Sequence, residues 1–289
     1  MFSRRLECAL KLCVSLTLLA RGWLTWRWDS PIRGLVWKED WWSAILERRT
    51  DLTWIEFAKI SDPWITNLLA TLGIILMVLA IVPWLPFKAT KWRRVRWLLV
   101  PATLILVLDS VARWVDMEFD FGMAIEHLLQ MLAPIALLIA TGQKERKKLW
   151  IGLVTVGVAL TFVGHGLYAV GFHPVPLSYQ TMTMKLLRCE QDFAMVFLQV
   201  VGWLDFVAAA CLVFRPLRSV GLIYMVGWGL ATALARVFSH LSLAGLDPWM
   251  AETLVRTSHW LLPLILLGAI WKLDRARSKN FELPSTEMT

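Results

Sequence analysis

The sequence predicts an all-α polytopic membrane bundle of eight transmembrane helices, built as two parallel four-helix repeats. Three observations carry that expectation. Of 289 residues 57% are hydrophobic and mean hydropathy is +0.57, above the roughly 45–50% apolar usage of soluble domains. Apolar stretches long enough to cross a hydrocarbon core of about 30 Å, at about 1.5 Å per helical residue, recur eight times. Basic residues collect in alternate connections, as a multi-pass chain requires.

The first stretch, 7–26, follows Arg4 and Arg5. A charged start before an apolar run resembles a signal peptide, but the run continues through Arg21-Gly22-Trp23 without a convincing small-x-small cleavage site, so it reads as a retained helix. Residues 27–63 form the longest connection, with Trp37, Trp41 and Ile45 at i, i+4 and i+8 beside Trp42 and Leu46. This is the pattern of an amphipathic helix lying on a membrane. Asp62-Pro63 is expected to end it, because a proline disfavours helical geometry at the residue before it and can start the next helix. The remaining spans are 64–86, 96–115, 121–141, 150–170, 193–214, 219–239 and 251–272, with a polar tail over 275–289.

Orientation follows from charge. Arg4, Arg5 and Lys11, then Lys88, Lys91, Arg93, Arg94 and Arg96, fall on one side, joined by Lys144, Arg146, Lys147 and Lys148, by Arg215 and Arg218, and by Lys272, Arg275, Arg277 and Lys279. The opposite connections are acidic or mixed, as at Asp116, Glu118 and Asp120. The positive-inside rule puts both termini in the cytoplasm of what reads as a bacterial inner-membrane protein. Trp84, Trp92, Trp97, Trp114, Trp150, Trp249 and Trp271, among 18 tryptophans, stand near span ends, where an indole can sit in lipid while its N–H finds a polar partner.

Several function classes lack support. The net charge of +8 comes without a nucleic-acid-binding motif, so no nucleic acid partner is expected. Cys8, Cys13, Cys189 and Cys211 have neither C-x-x-C nor metal-ligand spacing, which predicts no metal site and no disulfide framework. No Walker, Rossmann, H-E-x-x-H or nucleophile-elbow pattern occurs. Five histidines raise haem, for which His127, His165 and His259 could supply axial imidazoles, but the tandem pairs typical of membrane b-type cytochromes are missing and haem is not expected.

The chain repeats at about half its length, dividing into 1–149 and 150–274. Leu132-Ala133-Pro134-Ile135-Ala136-Leu137-Leu138 parallels Leu261-Leu262-Pro263-Leu264-Ile265-Leu266-Leu267. Ser110-Val111-Ala112-Arg113 parallels Ala233-Leu234-Ala235-Arg236, and Arg21-Gly22 parallels His165-Gly166. An even number of helices per unit makes the repeats parallel rather than inverted.

Gly202-Trp203-Leu204-Asp205-Phe206-Val207-Ala208-Ala209-Ala210, with Phe214 and Arg218 before the next apolar run, resembles the second-to-third helix region of DoxX-like four-helix membrane proteins. That family usually has Glu where Asp205 stands. The resemblance is best over the last four helices. It implies a tandem DoxX-like fold with a link to quinone-dependent respiratory or sulfur-compound oxidation, and assigns no catalytic residue.

Ionisable side chains within a span cost at least about 2.5–3.5 kcal/mol on insertion scales, so each needs a partner or a purpose. Asp109 and Arg113 lie one turn apart in the third span; Glu126, His127 and Gln130 share a level in the fourth. His165 stands between Gly164 and Gly166, Asp205 in the sixth span, Arg236 and His240 towards the end of the seventh, and Glu252, Arg256 and His259 at i, i+4 and i+7 in the eighth. With Arg21, most of these fall in the outer half of the bilayer, which predicts one or two polar chambers opening outward. Pro174 and Pro176 mark a loop able to cap one, with His173 expected to be exposed in it. The candidate ligand-binding residues are Arg21, Asp109, Arg113, Glu126, His127, His165, Asp205, Arg236, Glu252, Arg256 and His259.

Membrane lipid is the expected surrounding partner, with a homo-oligomer or membrane protein partner open. One function is binding of a quinone, lipid or other amphipathic molecule, as a respiratory or redox accessory. The alternatives are a proton- or anion-coupled transporter and a structural subunit whose charges are interhelical ion pairs. A lipid-directed enzyme with Glu252 or His259 as base would need a geometry that sequence does not supply.

Overall fold

The computed structural model describes residues 4–85, 92, 94–141 and 146–281, with 276–281 described by backbone alone. Lys88, Lys91, Arg93, Lys144 and the tail from 282 lie outside the described residues. The described chain is all helix and turn, without strands, and eight of its stretches are long and apolar enough to cross a membrane.

The first is α1, Arg4–Arg27. After it come the short α2, Ile32–Val36, and α3, Glu39–Arg49. Lys38, at ψ 94°, breaks the Trp37–Trp41–Ile45 series between them. No residue of α3 is buried, and Trp41, Trp42 and Ile45 are exposed.

The second stretch, α4, runs over Trp54–Leu79 and a 3-10 turn extends it to Trp84. The boundary expected at Asp62-Pro63 is therefore absent, and the helix passes through Pro63. A capping box explains the earlier start: the Thr53 hydroxyl accepts the Glu56 N–H and the Glu56 carboxylate accepts the Thr53 N–H. Pro63 lies on the exposed face, where the Lys59 carbonyl it cannot serve is open to outside donors.

The third stretch is α5, Leu99–Asp116. The fourth is interrupted, α6 (Phe121–Glu126) giving way at His127 to α7 (Leu128–Ala140). Next come α8, Lys147–Ala169, then α9, Leu177–Leu187, which crosses the end of the bundle, and α10, Gln191–Cys211. The seventh is α11, Arg218–Phe238, and the eighth is again interrupted, α12 (Leu243–Val255) passing at Arg256 into α13 (Thr257–Phe281).

The two interruptions share a geometry. His127 (φ −93°, ψ 4°) and Arg256 (φ −81°, ψ 7°) occupy the bridge region between helical and extended backbone. Each break tightens to a three-residue turn, from Gln130 N–H to the His127 carbonyl and from His259 N–H to the Arg256 carbonyl. Pro134 and Pro263 follow seven residues after the breaks. Lacking an N–H, each releases the carbonyl four residues earlier, Gln130 and His259.

Packing follows corresponding pairs. α1 lies against α4 as α8 lies against α10, and α5 against α6–α7 as α11 lies against α12–α13. Crossing contacts join α1 to α12–α13 and α8 to α6–α7. Close approach depends on glycine: a Cβ on Gly22 would stand 2.6 Å from the Gly73 carbonyl oxygen, and one on Gly166 3.0 Å from that of Gly202. Between α11 and α13, a Cβ on Gly229 would stand 2.7 Å from the released His259 carbonyl.

The apolar core fills the bundle away from α9, with Leu10, Leu76, Leu99, Leu129 and Leu262 in one cluster. Trp150 belongs to it, fully buried and donating its indole N–H to the Ala136 carbonyl at 3.0 Å, so it is a core residue rather than part of the expected belt. Trp84, Trp97 and Trp271 do lie exposed near helix ends. The four cysteines are free thiols.

Candidate ligand-binding site

Towards the α9 end the core gives way to a belt of buried polar side chains. Asp109, on α5 and 4% exposed, is its first centre. Arg113, one turn on, donates Nε to Asp109 Oδ2 at 3.1 Å, and Arg21 of α1 brings its Nε to 3.6 Å of the same oxygen. Arg21 Nη2 also donates to Gln130 Oε1 at 2.8 Å. Asp109 Oδ1 accepts the Ser30 hydroxyl at 3.1 Å. Ser30 is carried there by the turn after α1, in which Asp29 takes φ 104° and accepts the Ser30 N–H and Arg33 Nε. One buried carboxylate thus answers two guanidiniums and a hydroxyl, as a charge out of water requires.

The second centre spans the two halves of the chain. Glu126, 5% exposed at the end of α6, accepts the Tyr179 hydroxyl of α9 at 3.2 Å and lies 3.4 Å from His165 Nδ1 of α8. Tyr179 and His165 are themselves 2.9 Å apart. Burial and the Glu126 carboxylate push the Tyr179 phenol well above its ordinary value, so it stays protonated and donates. The His259 ring lies 5.3 Å from that of His165, inclined by 52°. On the eighth stretch Arg256 Nη1 pairs with Glu252, and Arg256 Nε has no hydrogen-bond partner.

Arg236, near the end of α11 and 6% exposed, differs from these. Its Nη1 donates to the Thr232 carbonyl of its own helix at 2.8 Å, and no carboxylate among the described residues forms an ion pair with it. It borders a cavity of about 210 Å³ enclosed by α8, α9, α10, α11 and the eighth stretch. His165, Tyr179, Arg236, Arg256 and His259 form the polar end; Phe162, Met182, Leu198, Val201 and Trp228 form much of the apolar wall. Lining positions on α11 run from Trp228 to Arg236, about 12 Å at helical rise. Leu186 and Leu187 at the rim are exposed, so the wall continues onto the bundle surface. A polar end plus an apolar bore suits a molecule with a hydrogen-bonding head and a hydrocarbon body.

Of the residues singled out from sequence, Arg21, Asp109, Arg113, Glu126, His165, Glu252, Arg256 and His259 join this belt, and Arg236 lines the cavity. His127 is buried at the helix break with Nδ1 unpartnered. Asp205 also lines the cavity, from α10, and accepts the Tyr224 hydroxyl at 2.9 Å. His173 is not an exposed loop residue: its side chain is 14% exposed, 3.3 Å from Asp120, and it accepts the Gly122 N–H at 3.4 Å. Ser30, Tyr179 and Thr232 were not anticipated. Hydroxyls carry no insertion penalty large enough to flag them, although Tyr179 follows Pro174 and Pro176 in the segment expected to cap a chamber.

Comparison with family models, with curated proteins and with solved structures returns no match for the chain.

Proposed function

We propose that this chain is an integral membrane protein that holds an amphipathic small molecule, a lipid, a quinone or a molecule of similar build, in the cavity beside Arg236. The cavity's two-part lining carries the reading: hydrogen-bonding and cationic groups at one end, and an apolar wall running to the bundle surface at the other. Such a shape lets a head sit among Tyr179, His165 and His259 while a tail leaves sideways. In this reading the α9 end faces the non-cytoplasmic side and both termini the cytoplasm, a choice that the basic residues of the alternate connections favour. The matched helix breaks and glycine contacts support an origin by duplication of a four-helix unit; a redox-accessory role rests on the sequence resemblance of Gly202–Ala210 to DoxX-like proteins alone.

The test is mass spectrometry with an absorption spectrum on the full chain purified in mild detergent. A stoichiometric amphiphile that is lost on Arg256→Ala or His259→Ala supports the reading. A protein that purifies without ligand and takes up neither lipid nor quinone, with those variants only less stable, overturns it in favour of a structural ion-pair belt.

A further inference from the structure

The two arginines Arg113 and Arg236 sit at matching places, each closing an Ala-Arg pair near the end of the third helix of its half. Aligning them puts Asp109 opposite Thr232, because each lies four residues before its arginine. In the first half the Asp109 carboxylate fills the space beside Arg113 and is bonded on both oxygens. In the second half the shorter Thr232 turns its hydroxyl back to the Gly229 carbonyl at 3.2 Å, and both Thr232 and Arg236 line the cavity. The belt and the cavity lining together hold four buried or half-buried guanidiniums, Arg21, Arg113, Arg236 and Arg256, and four carboxylates, Asp109, Glu126, Glu252 and the Tyr224-bonded Asp205. Asp109 and Glu252 pair with other arginines, Glu126 is held by Tyr179 and His165 and Asp205 by Tyr224, so Arg236 borders the cavity without an ion-pair partner among the described residues.

We propose that the cavity takes the anionic headgroup of a membrane amphiphile, a carboxylate or phosphate, which pairs with Arg236 in the place that Asp109 fills beside Arg113. This deepens the amphiphile reading above and rests on it. A guanidinium fork matches the two oxygens of a carboxylate or phosphate in one plane. Arg256 and His259 line the same cavity, where an imidazole N–H can add a bond to an oxyanion, while the Tyr179 hydroxyl stays committed to Glu126. A quinone or an alcohol could accept those hydrogen bonds but would leave the Arg236 charge unanswered, which in a dry site is the costlier omission. The chain would then run along Met182 and Trp228 and leave past Leu186 and Leu187.

The full chain, in an uncharged detergent, is tested by equilibrium dialysis against hexadecanoate, hexadecyl phosphate, hexadecanol, decylubiquinone and inorganic phosphate. At least one anionic amphiphile is expected to bind one to one and ten-fold or more tighter than hexadecanol and decylubiquinone. Arg236→Gln should erase that preference. Thr232→Asp, which builds the missing carboxylate into α11, should weaken the anionic amphiphile ten-fold or more and raise the thermal midpoint of the ligand-free protein.

Equal binding of acid and alcohol overturns the headgroup assignment and leaves the amphiphile site standing, whereas binding of none of the amphiphiles overturns both. Inorganic phosphate binding as tightly as hexadecyl phosphate would make this a free-anion site and sink the proposal. So would a preference for the acid that survives Arg236→Gln. Should Thr232→Asp fail to fold, the native chain and Arg236→Gln still decide.

Discussion

The two halves of the bundle place a buried arginine near the end of their third helix and treat it in opposite ways. Around Arg113 the chain supplies the counter-charge itself, from Asp109 one turn away, and adds Arg21, Gln130 and Ser30 to complete the bonding. Around Arg236 it supplies a backbone carbonyl and an unfilled volume. Two similarly placed arginines thus end in different surroundings, Arg113 within a closed ion-pair cluster and Arg236 beside a cavity. The difference turns on one side chain, aspartate against threonine.

The largest way to break that comparison is Asp109→Asn. It leaves Arg21 and Arg113 facing each other without a carboxylate, and is expected to cost about 3–5 kcal/mol, the usual loss when one partner of a buried pair is removed. Thermal unfolding in detergent measures it; a loss below about 1 kcal/mol would mean that the cluster is open to water. Tyr179→Phe asks whether Glu126 of the first half depends on the second. Losing a hydrogen bond to a charged group should cost about 1.5–3 kcal/mol, and hydrogen exchange over α9 should rise if that bond pins it.

Gly22→Ala and Gly166→Ala sharpen the comparison at a place where the halves look alike. Each added methyl meets a carbonyl of the partner helix, at 2.6 Å and 3.0 Å respectively, so both should destabilise by about 1–3 kcal/mol with Gly22→Ala the worse. A cost for one and none for the other would separate the halves in packing as well as in charge. Smallest of all is Arg236→Met in ligand-free protein. Because no carboxylate is orphaned, its unfolding midpoint should stay level or rise, in contrast to Arg113→Met, which strips Asp109 of its closest cation.

The fold class was legible because lipid tolerates so few backbone solutions: eight apolar stretches and alternating basic connections leave little but helices. What escaped was punctuation. Pro63 suggested a boundary, yet the Thr53–Glu56 capping box started the helix earlier and an exposed proline did not stop it. The breaks at His127 and Arg256 have no glycine or proline of their own, so a spacing of i, i+4 and i+7 over Glu252, Arg256 and His259 read as one unbroken face.

The candidate site was half legible for a related reason. Charged residues announce themselves in an apolar span by cost, and eight of them do converge with Arg236 beside them. Which pairs form is set by helix neighbours that no periodicity reveals. Asp205 shares the sequence signal but ends beside Tyr224, while Trp150 sits at a span end and is nonetheless core.

The bond from Tyr179 to Glu126 also bears on the order in which the protein is made. Asp109 leaves the ribosome with Arg21 already synthesised and Arg113 four residues behind it, so its charge is answered almost at once. Glu126 must wait for His165 and Tyr179, 39 and 53 residues later, or about 2–10 s at 5–20 residues per second. During that interval the fourth helix carries an unanswered carboxylate. The bonding of the fourth helix is therefore completed only by residues made after it, so its place in the bundle is settled late in synthesis.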